Sequence, residues 1–308
     1  MKKFLSALAA SMLVISMFAG CGKSNDNTAS SQAGTTGESQ TAPESDFDSG
    51  KLINVVSREE GSGTRGAFVE LTGVQEKKED GTKVDNTTKE AIIANKTDVV
   101  LTNVSGDDYA IGYISLGSLN DTVKAVSVDG AEATAENVKN GSYKIARPFN
   151  IATKGEPTGL AADFIAYIMS AEGQDIVEQN GYIKVEDAAE AYAGTKPEGK
   201  LVIAGSSSVT PVMEKLAEGY KAINPATTIE VQQSDSTAGM TGAIDGTCDI
   251  GMASRELKDS ESEQLNAMAI ANDGIAVITS VNNPTSDLTM ENIKDIFTGN
   301  VEVWDDVK

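Results

Sequence analysis

The segment SREEGSGTRGAF, Ser57 to Phe68, gathers Arg58, Ser62, Thr64 and Arg65 around Gly61, Gly63 and Gly66. It follows an apolar run, LINVV, and opens onto a helical pattern, AFVEL. A strand that ends in a glycine-bracketed loop before a helix aims backbone N–H groups at one point, where the helix dipole favours negative charge. LVIAGSSSVTPVMEKL repeats that design, with Gly205 and three serines ahead of a helix that accepts Pro211 in its first turn. SDSTAGM places Ser236 and Thr237 before a third helical stretch. Three hydroxyl-rich helix starts and Arg58 form a set of donors with no nucleophile–base pair among them. That chemistry is the binding of an oxyanion.

The chain has no histidine. Ser-His-Asp and Cys-His catalysis and imidazole metal sites are therefore excluded. An enzyme would have to use carboxylates, lysine or a cofactor, and we expect no enzyme, no cofactor and no metal. Gly61, Gly63 and Gly66 do satisfy G-x-G-x-x-G, the dinucleotide fingerprint, which keeps a dinucleotide-dependent oxidoreductase as an alternative. Two details oppose it. Ser57 to Glu60 separate the strand from the first glycine, and the loop carries its own Arg58, Ser62 and Thr64, which suit a small tetrahedral anion.

The elements that must position these loops alternate along the chain. LINVV, DVVLTNV, KAVSV and YKIARPFNIAT read as strands, and RGAFVELTG, YAIGYISLG, AENVKNG and the pair of helices within GLAADFIAYIMSAEGQDIVEQNG as the segments between them. After a polar connector, Glu186 to Lys200, the alternation resumes with LVIAG and PVMEKLAEGYKAI, whose Val212, Met213, Leu216, Ala217 and Tyr220 share one face. TIEVQQ, TAGMTGAIDG, CDIGMAS, GIAVITSV and TMENIKDIFTG follow, the last with Thr289 as N-cap and Gly299 as stop. The pattern predicts an α/β protein with mainly parallel sheets.

Residues 1–20 carry Lys2 and Lys3, an apolar stretch and small residues before Cys21, and read as a secretory signal with Cys21 as the lipidation site. Residues 21–50 are too poor in apolar side chains to form a core and read as a flexible tether. The formal charge is −21, and loss of Lys2 and Lys3 with the signal makes it −23. Nucleic-acid binding needs a basic footprint and is excluded. With Cys21 lipidated, Cys248 has no intramolecular partner and reads as a small buried hydrophobe at the start of a strand.

IAGSSSVTPVMEKLAEGY, GAIDGTCDIGMASRELK, the segment from GIAVITSV to VEVWDDV, and VVSREEGSGTRGAF resemble the phosphate-binding proteins of bacterial ABC importers, the PstS-like family. With YAIGYISLG and the helical tail to NGYIKV, the resemblance covers nearly all of Lys51 to Lys308. The order differs: in the family the GSSSVTP-type loop comes first. The chain therefore reads as a circular permutant, in which VWDDV would once have run into KLINVV. The alternative is that Lys308 cuts short a longer, duplicated chain.

The resemblance implies a two-lobed periplasmic-binding-protein-like fold of type II, with a ligand cleft between α/β lobes. One lobe would be 51–146 plus 282–308 and the other 147–281. It implies inorganic phosphate as ligand, bound by Arg58, Ser62, Gly63, Thr64, Ser207, Ser208, Val209, Ser236 and Arg255, with Glu60 orienting Arg58 and Arg65 pointing to the lobe surface. Arg255 stands where some relatives place an aspartate that accepts a hydrogen bond from protonated phosphate; Asp235 is the acidic residue nearest to replacing it. Sulfate or molybdate is accordingly the alternative ligand. The implied partner is an ABC permease, approached by a monomer anchored to the outer face of the cell membrane. Replacing Cys21 by alanine is expected to release the protein from the membrane fraction, since stable anchoring needs the lipid. Retention of Cys21→Ala on membranes in high salt would overturn the lipidation reading.

Overall fold

The computed structural model describes residues 47–308; the signal segment, Cys21 and residues 22–46 lie outside the described residues. Nine strands form the main sheet: β1 (Asn54–Arg58), β2 (Ile92–Ala94), β3 (Ala110–Ser115), β4 (Val123–Ala125), β5 (Ala146–Thr153), β6 (Gly199–Ser206), β7 (Thr227–Ser234), β8 (Ile250–Ala253) and β9 (Asn266–Ser280). Their order is β7-β6-β8-β5-β9-β3-β1-β2, with β4 alongside β9. The helices that matter for the site are α1 (Gly63–Leu71), α2 (Thr97–Ser105), α3 (Gly159–Met169), α4 (Ala171–Gln179), α5 (Thr210–Ile223), α6 (Ser236–Asp245) and α7 (Met290–Thr298).

The sheet is mixed rather than mainly parallel. β6 runs parallel to β7 and β8, and β1 parallel to β2 and β3. β5 and β9 run against their neighbours. β9 is 15 residues long and belongs to both halves of the sheet. It pairs with β5 from Asn266 to Gly274 and then with β3 from Ile275 to Thr279. One apolar core holds Val56, Phe68, Val100, Ile111, Ile275, Ile278, Ile293 and Phe297. A second holds Phe149, Phe164, Ile203, Met213, Leu216, Tyr220 and Ile270. Each fully buried aliphatic or aromatic side chain of this kind contributes about 1.5–3 kcal/mol. The passage between cores thus falls within β9, between Ala271 and Ile275, and not after Val281 as expected.

Sequence pattern and structure agree where one face is apolar. α5 buries Val212, Met213, Leu216, Ala217 and Tyr220, and α7 starts on Thr289 and stops on Gly299, which sits at φ 78°. DVVLTNV and YAIGYISLG are exchanged relative to expectation: the first lies in helix α2 and the second supplies strand β3. α2 buries Thr97, Val100 and Val104 at helical spacing, whereas β3 is buried at all six positions and shows no period. Cys248 is buried beneath α6 with Met240 and Ala243, in the turn before β8 and not in the strand. Burial pushes its thiol up.

Residues 47–50, assigned to the tether, are packed. Phe47 lies against Tyr109 and Trp304, and the Asp305 N–H donates to the Ser49 carbonyl at 2.9 Å. Leu52 bridges Val303 in antiparallel register, and the Ile53 N–H donates to the Glu302 carbonyl at 2.7 Å. The two ends of the described chain therefore form one local structure.

The connector Glu186 to Lys200 is tied down as well. Asp163 on α3 accepts from the Tyr192 hydroxyl, from the Tyr220 hydroxyl at 2.6 Å and from the Thr195 N–H at 2.7 Å. Burial alone would raise this carboxyl, but those bonds together outweigh it and hold it below its ordinary value. A depressed folded-state pKa means stabilisation that is present above the ordinary carboxylate range, near ~4, and lost as pH falls through the lowered value. Limited proteolysis is expected to cut within 186–200 much faster below about pH 4 than at pH 7, and Asp163→Asn to cut fast at both. Equal cleavage of wild type at the two pH values would contradict this.

Candidate functional site

The hydroxyl-rich loops meet where the two cores adjoin. Arg58 is the last residue of β1 and is only 2 % exposed. Its Nη2 donates to Ser207 Oγ at 3.0 Å, and Nε reaches the Ala94 carbonyl at 3.3 Å. Glu59 takes the fork with both oxygens, at 2.7 and 2.8 Å. Glu60, expected in that role, is exposed. The Ser62 N–H closes a turn on the Glu59 carbonyl, which sets Glu60 at its outer corner. The backbone of Arg58 is fixed in turn: its N–H donates to the Tyr113 hydroxyl at 3.2 Å, and that hydroxyl shares a 2.8 Å bond with Ser57 Oγ. Tyr113 stacks on Phe68, and burial pushes its hydroxyl up to about 12 despite the Ser57 bond.

Ser62 caps α1 by accepting from the Arg65 N–H, so Gly63 and Thr64 occupy a first turn with no earlier carbonyl inside the helix. A Cβ on Gly63 would collide with Ser236 Oγ and Ser254 Oγ, so the start of α1 packs directly on the start of α6. That contact opposes the dinucleotide reading, in which the second glycine of the fingerprint lies open to the pyrophosphate. Gly205 has φ 138° and lies against the Met252 carbonyl, where no side chain fits.

Ser207 accepts from Arg58, and Ser208 Oγ lies 2.7 Å from Thr64 Oγ1 across the junction. Ser236, fully buried, accepts from the Ser254 N–H at 3.1 Å. Val209 departs from expectation: its N–H donates to the Ser206 carbonyl at 3.0 Å in the turn entering α5, which takes it out of the ligand-facing set. Arg255 also departs. Glu261 binds its guanidinium with both oxygens at 2.7 and 2.8 Å, and Nη2 reaches Thr237 Oγ1 at 3.3 Å. The charge of Arg255 is thus neutralised on the spot, and the Arg255 ion pair holds Glu261 low despite burial that would raise it. Asp235 is the N-cap of α6, accepting from the Ala238 N–H at 2.8 Å. Arg65 is not a free surface residue: it pairs with Asp85 at 2.8 Å and donates to the Arg58 carbonyl at 2.7 Å.

Several residues of this network carried no sequence signal that singled them out. Ser254 bonds Ser206 at 2.9 Å and lies 3.4 Å from Thr64; Thr97 lies 3.4 Å from Ser207. Arg147, from β5, donates to Thr64 Oγ1 at 3.0 Å. The available signal was a lone arginine entering a buried strand, matched by a lone Asp273 in another.

A model of the PBP superfamily domain matches residues 36–172 and 190–308. The phosphate-binding protein PstS 2 of Streptococcus agalactiae is 52% identical over 308 residues, covering 99% of this chain and 98% of that protein. The chain belongs to the PBP superfamily, in its PstS-like branch. The crystal structure of a phosphate-binding protein of a phosphate ABC transporter from Streptococcus pneumoniae superposes with a TM-score of 0.67 at 46% identity, over 83% of this chain and 100% of that one. PstS of Bacillus subtilis matches over 139 residues only, 44% of this chain and 42% of that protein, at 39% identity. The full-length PstS-like match shares the segment order found here.

A charge-assisted bond in a dehydrated site is worth about 1.5–3 kcal/mol, against about 1 kcal/mol for one neutral hydroxyl. With inorganic phosphate as probe, Arg58→Ala is expected to weaken binding at least ~tenfold and Ser236→Ala less. Arg65→Ala should fall between them, because it releases the Arg58 carbonyl. Calorimetric affinities of the three variants check this order; no loss from Arg58→Ala would remove Arg58 from the site.

Proposed function

We propose that this protein captures inorganic phosphate outside the cytoplasm and delivers it to an ABC permease, as a monomer held at the outer face of the cell membrane by lipid on Cys21. The observation that carries the reading is the meeting of Arg58, the first turn of α1, Ser207, Ser208 and Ser236 at the junction of two cores. Donors drawn from both sides suit a small anion that both sides enclose. That the PstS-like relatives are phosphate-binding proteins supports phosphate as that anion. The protein binds and releases; its site holds no nucleophile paired with a base.

The segment order is read as a circular permutation of the arrangement in PstS of Bacillus subtilis. The pairing of residues 49–53 with 302–305 supports it, as does a match to that protein that stops before half of either chain. A re-cut chain needs its old termini adjacent; here the connector Glu186 to Lys200 would join them, and the pairing of residues 49–53 with 302–305 would mark the cut.

One observation favours a second ligand. With Arg255 bound by Glu261, the ligand-facing side chains are mainly donors, which a fully deprotonated oxyanion such as sulfate or molybdate also satisfies. Titration calorimetry of the compact unit from Ser45 with phosphate, sulfate, molybdate and NAD decides among them. Phosphate is expected to bind most tightly and NAD not at all. Tighter binding of sulfate or molybdate would replace phosphate as the ligand.

A further inference from the structure

Arg147 and Asp273 face each other in the register of β5 and β9, at the point where the chain passes from one core to the other. Both side chains are almost wholly buried and form an ion pair. A buried ion pair is generally no more stable than a well-packed apolar pair of the same size, so stability alone does not account for it. The rest of the guanidinium is fully engaged. Nε donates to the Ser254 carbonyl at 3.1 Å, Nη1 also reaches the Gly274 carbonyl at 3.2 Å, and Nη2 donates to Thr64 Oγ1 at 3.0 Å. The ring of Phe149 lies beneath it, 5.0 Å from Cζ. Asp273 receives the Gly117 N–H at 3.4 Å.

Arginine donates and cannot accept. Thr64 Oγ1 must therefore accept from Arg147, which leaves the single hydroxyl proton of Thr64 for another acceptor. Ser208 Oγ lies 2.7 Å away on the opposite side of the junction, within reach of that proton. The same arginine holds the carbonyl of Ser254, whose N–H donates to Ser236 Oγ and whose hydroxyl meets Ser206. One buried cation thus fixes a donor on α1 and the backbone of Ser254, to which Ser236 at the start of α6 and Ser206 at the end of β6 are bonded.

We propose that Arg147 is a positioning residue for the bound oxyanion, which sets the Thr64 hydroxyl as a donor toward the ligand and registers the two sides of the site on the crossing strands. The proposal rests on the oxyanion-binding reading above. Asp273 keeps the charge of Arg147 compensated, so that the site gains an oriented hydroxyl rather than a naked cation.

The test is a double-mutant cycle on the full chain, read as phosphate affinity and unfolding temperature. Arg147→Met with Asp273→Asn removes both charges and leaves an acceptor for the Gly117 N–H. It is expected to weaken phosphate binding at least ~tenfold with little change in unfolding temperature. In a Thr64→Val background the same pair of substitutions should cost far less, because the hydroxyl through which Arg147 acts is already gone. A merely structural role would lower the unfolding temperature and multiply independently with Thr64→Val. Arg147→Lys, which keeps a charge opposite Asp273 but cannot hold Ser254 and Thr64 at once, gives a second reading should the paired variant not fold. Wild-type affinity in Arg147→Lys, or independent losses in the cycle, would overturn the proposal. Wild-type protein that binds no phosphate would overturn the functional reading instead, and the cycle would then be run with sulfate and molybdate.

Discussion

Hydroxyl groups buried between two apolar cores must be bonded, because each one left without a partner costs about 1–3 kcal/mol. Ser206, Ser207, Ser208, Ser236, Ser254 and Thr64 all lie in that position. They meet the requirement through one another and through arginine. Arg58 donates to Ser207, Arg147 to Thr64 and Arg255 to Thr237. Each of these arginines is also gripped by a carboxylate, respectively of Glu59, Asp273 and Glu261. A guanidinium held between an acid and a hydroxyl adds no net charge, yet it occupies one of the hydroxyl's two acceptor lone pairs and leaves its proton to be given away. That explains how a chain with a formal charge of −21 can offer an anion a favourable site.

The rest of the fold serves this junction. Gly63 lets the start of α1 lie against Ser236 and Ser254, where a side chain would force the two sides apart, and Gly205 packs against the Met252 backbone of its neighbouring strand. β9 is long enough to be shared by both half-sheets, and the pair formed by Arg147 and Asp273 lies at its crossing point. Tyr113, stacked on Phe68, holds the end of β1 from below. The pairing of Leu52 with Val303 lies at the start of β1, the opposite end of that strand from Arg58.

Much of this was legible in the residues. α5 and α7 declare themselves by one apolar face, a proline in the first turn or a capping threonine. The loops around Arg58 and Ser207 declare themselves because glycine and hydroxyls cluster between a strand and a helix. What stayed hidden depends on contacts between distant segments. β3 shows no period that separates strand from helix, and burial at all six of its positions decided it, while the helical spacing of α2 rests on Thr97, Val100 and Val104 alone. Glu59 and Glu60 are chemically equal in sequence, and only the turn closed by Ser62 decides which of them meets Arg58. Arg147 and Asp273 are separated by most of the second core, and their pairing follows from the register of two strands.

We propose that one small oxyanion is enclosed by donors from both sides of the junction. A crystal structure of the protein grown with phosphate tests it most directly. Phosphate oxygens are expected within hydrogen-bond distance of the Arg58 guanidinium, the Thr64 hydroxyl and the hydroxyls of Ser207 or Ser208 in the same molecule. Phosphate bound to one side only, or at a place remote from Arg58, would contradict it.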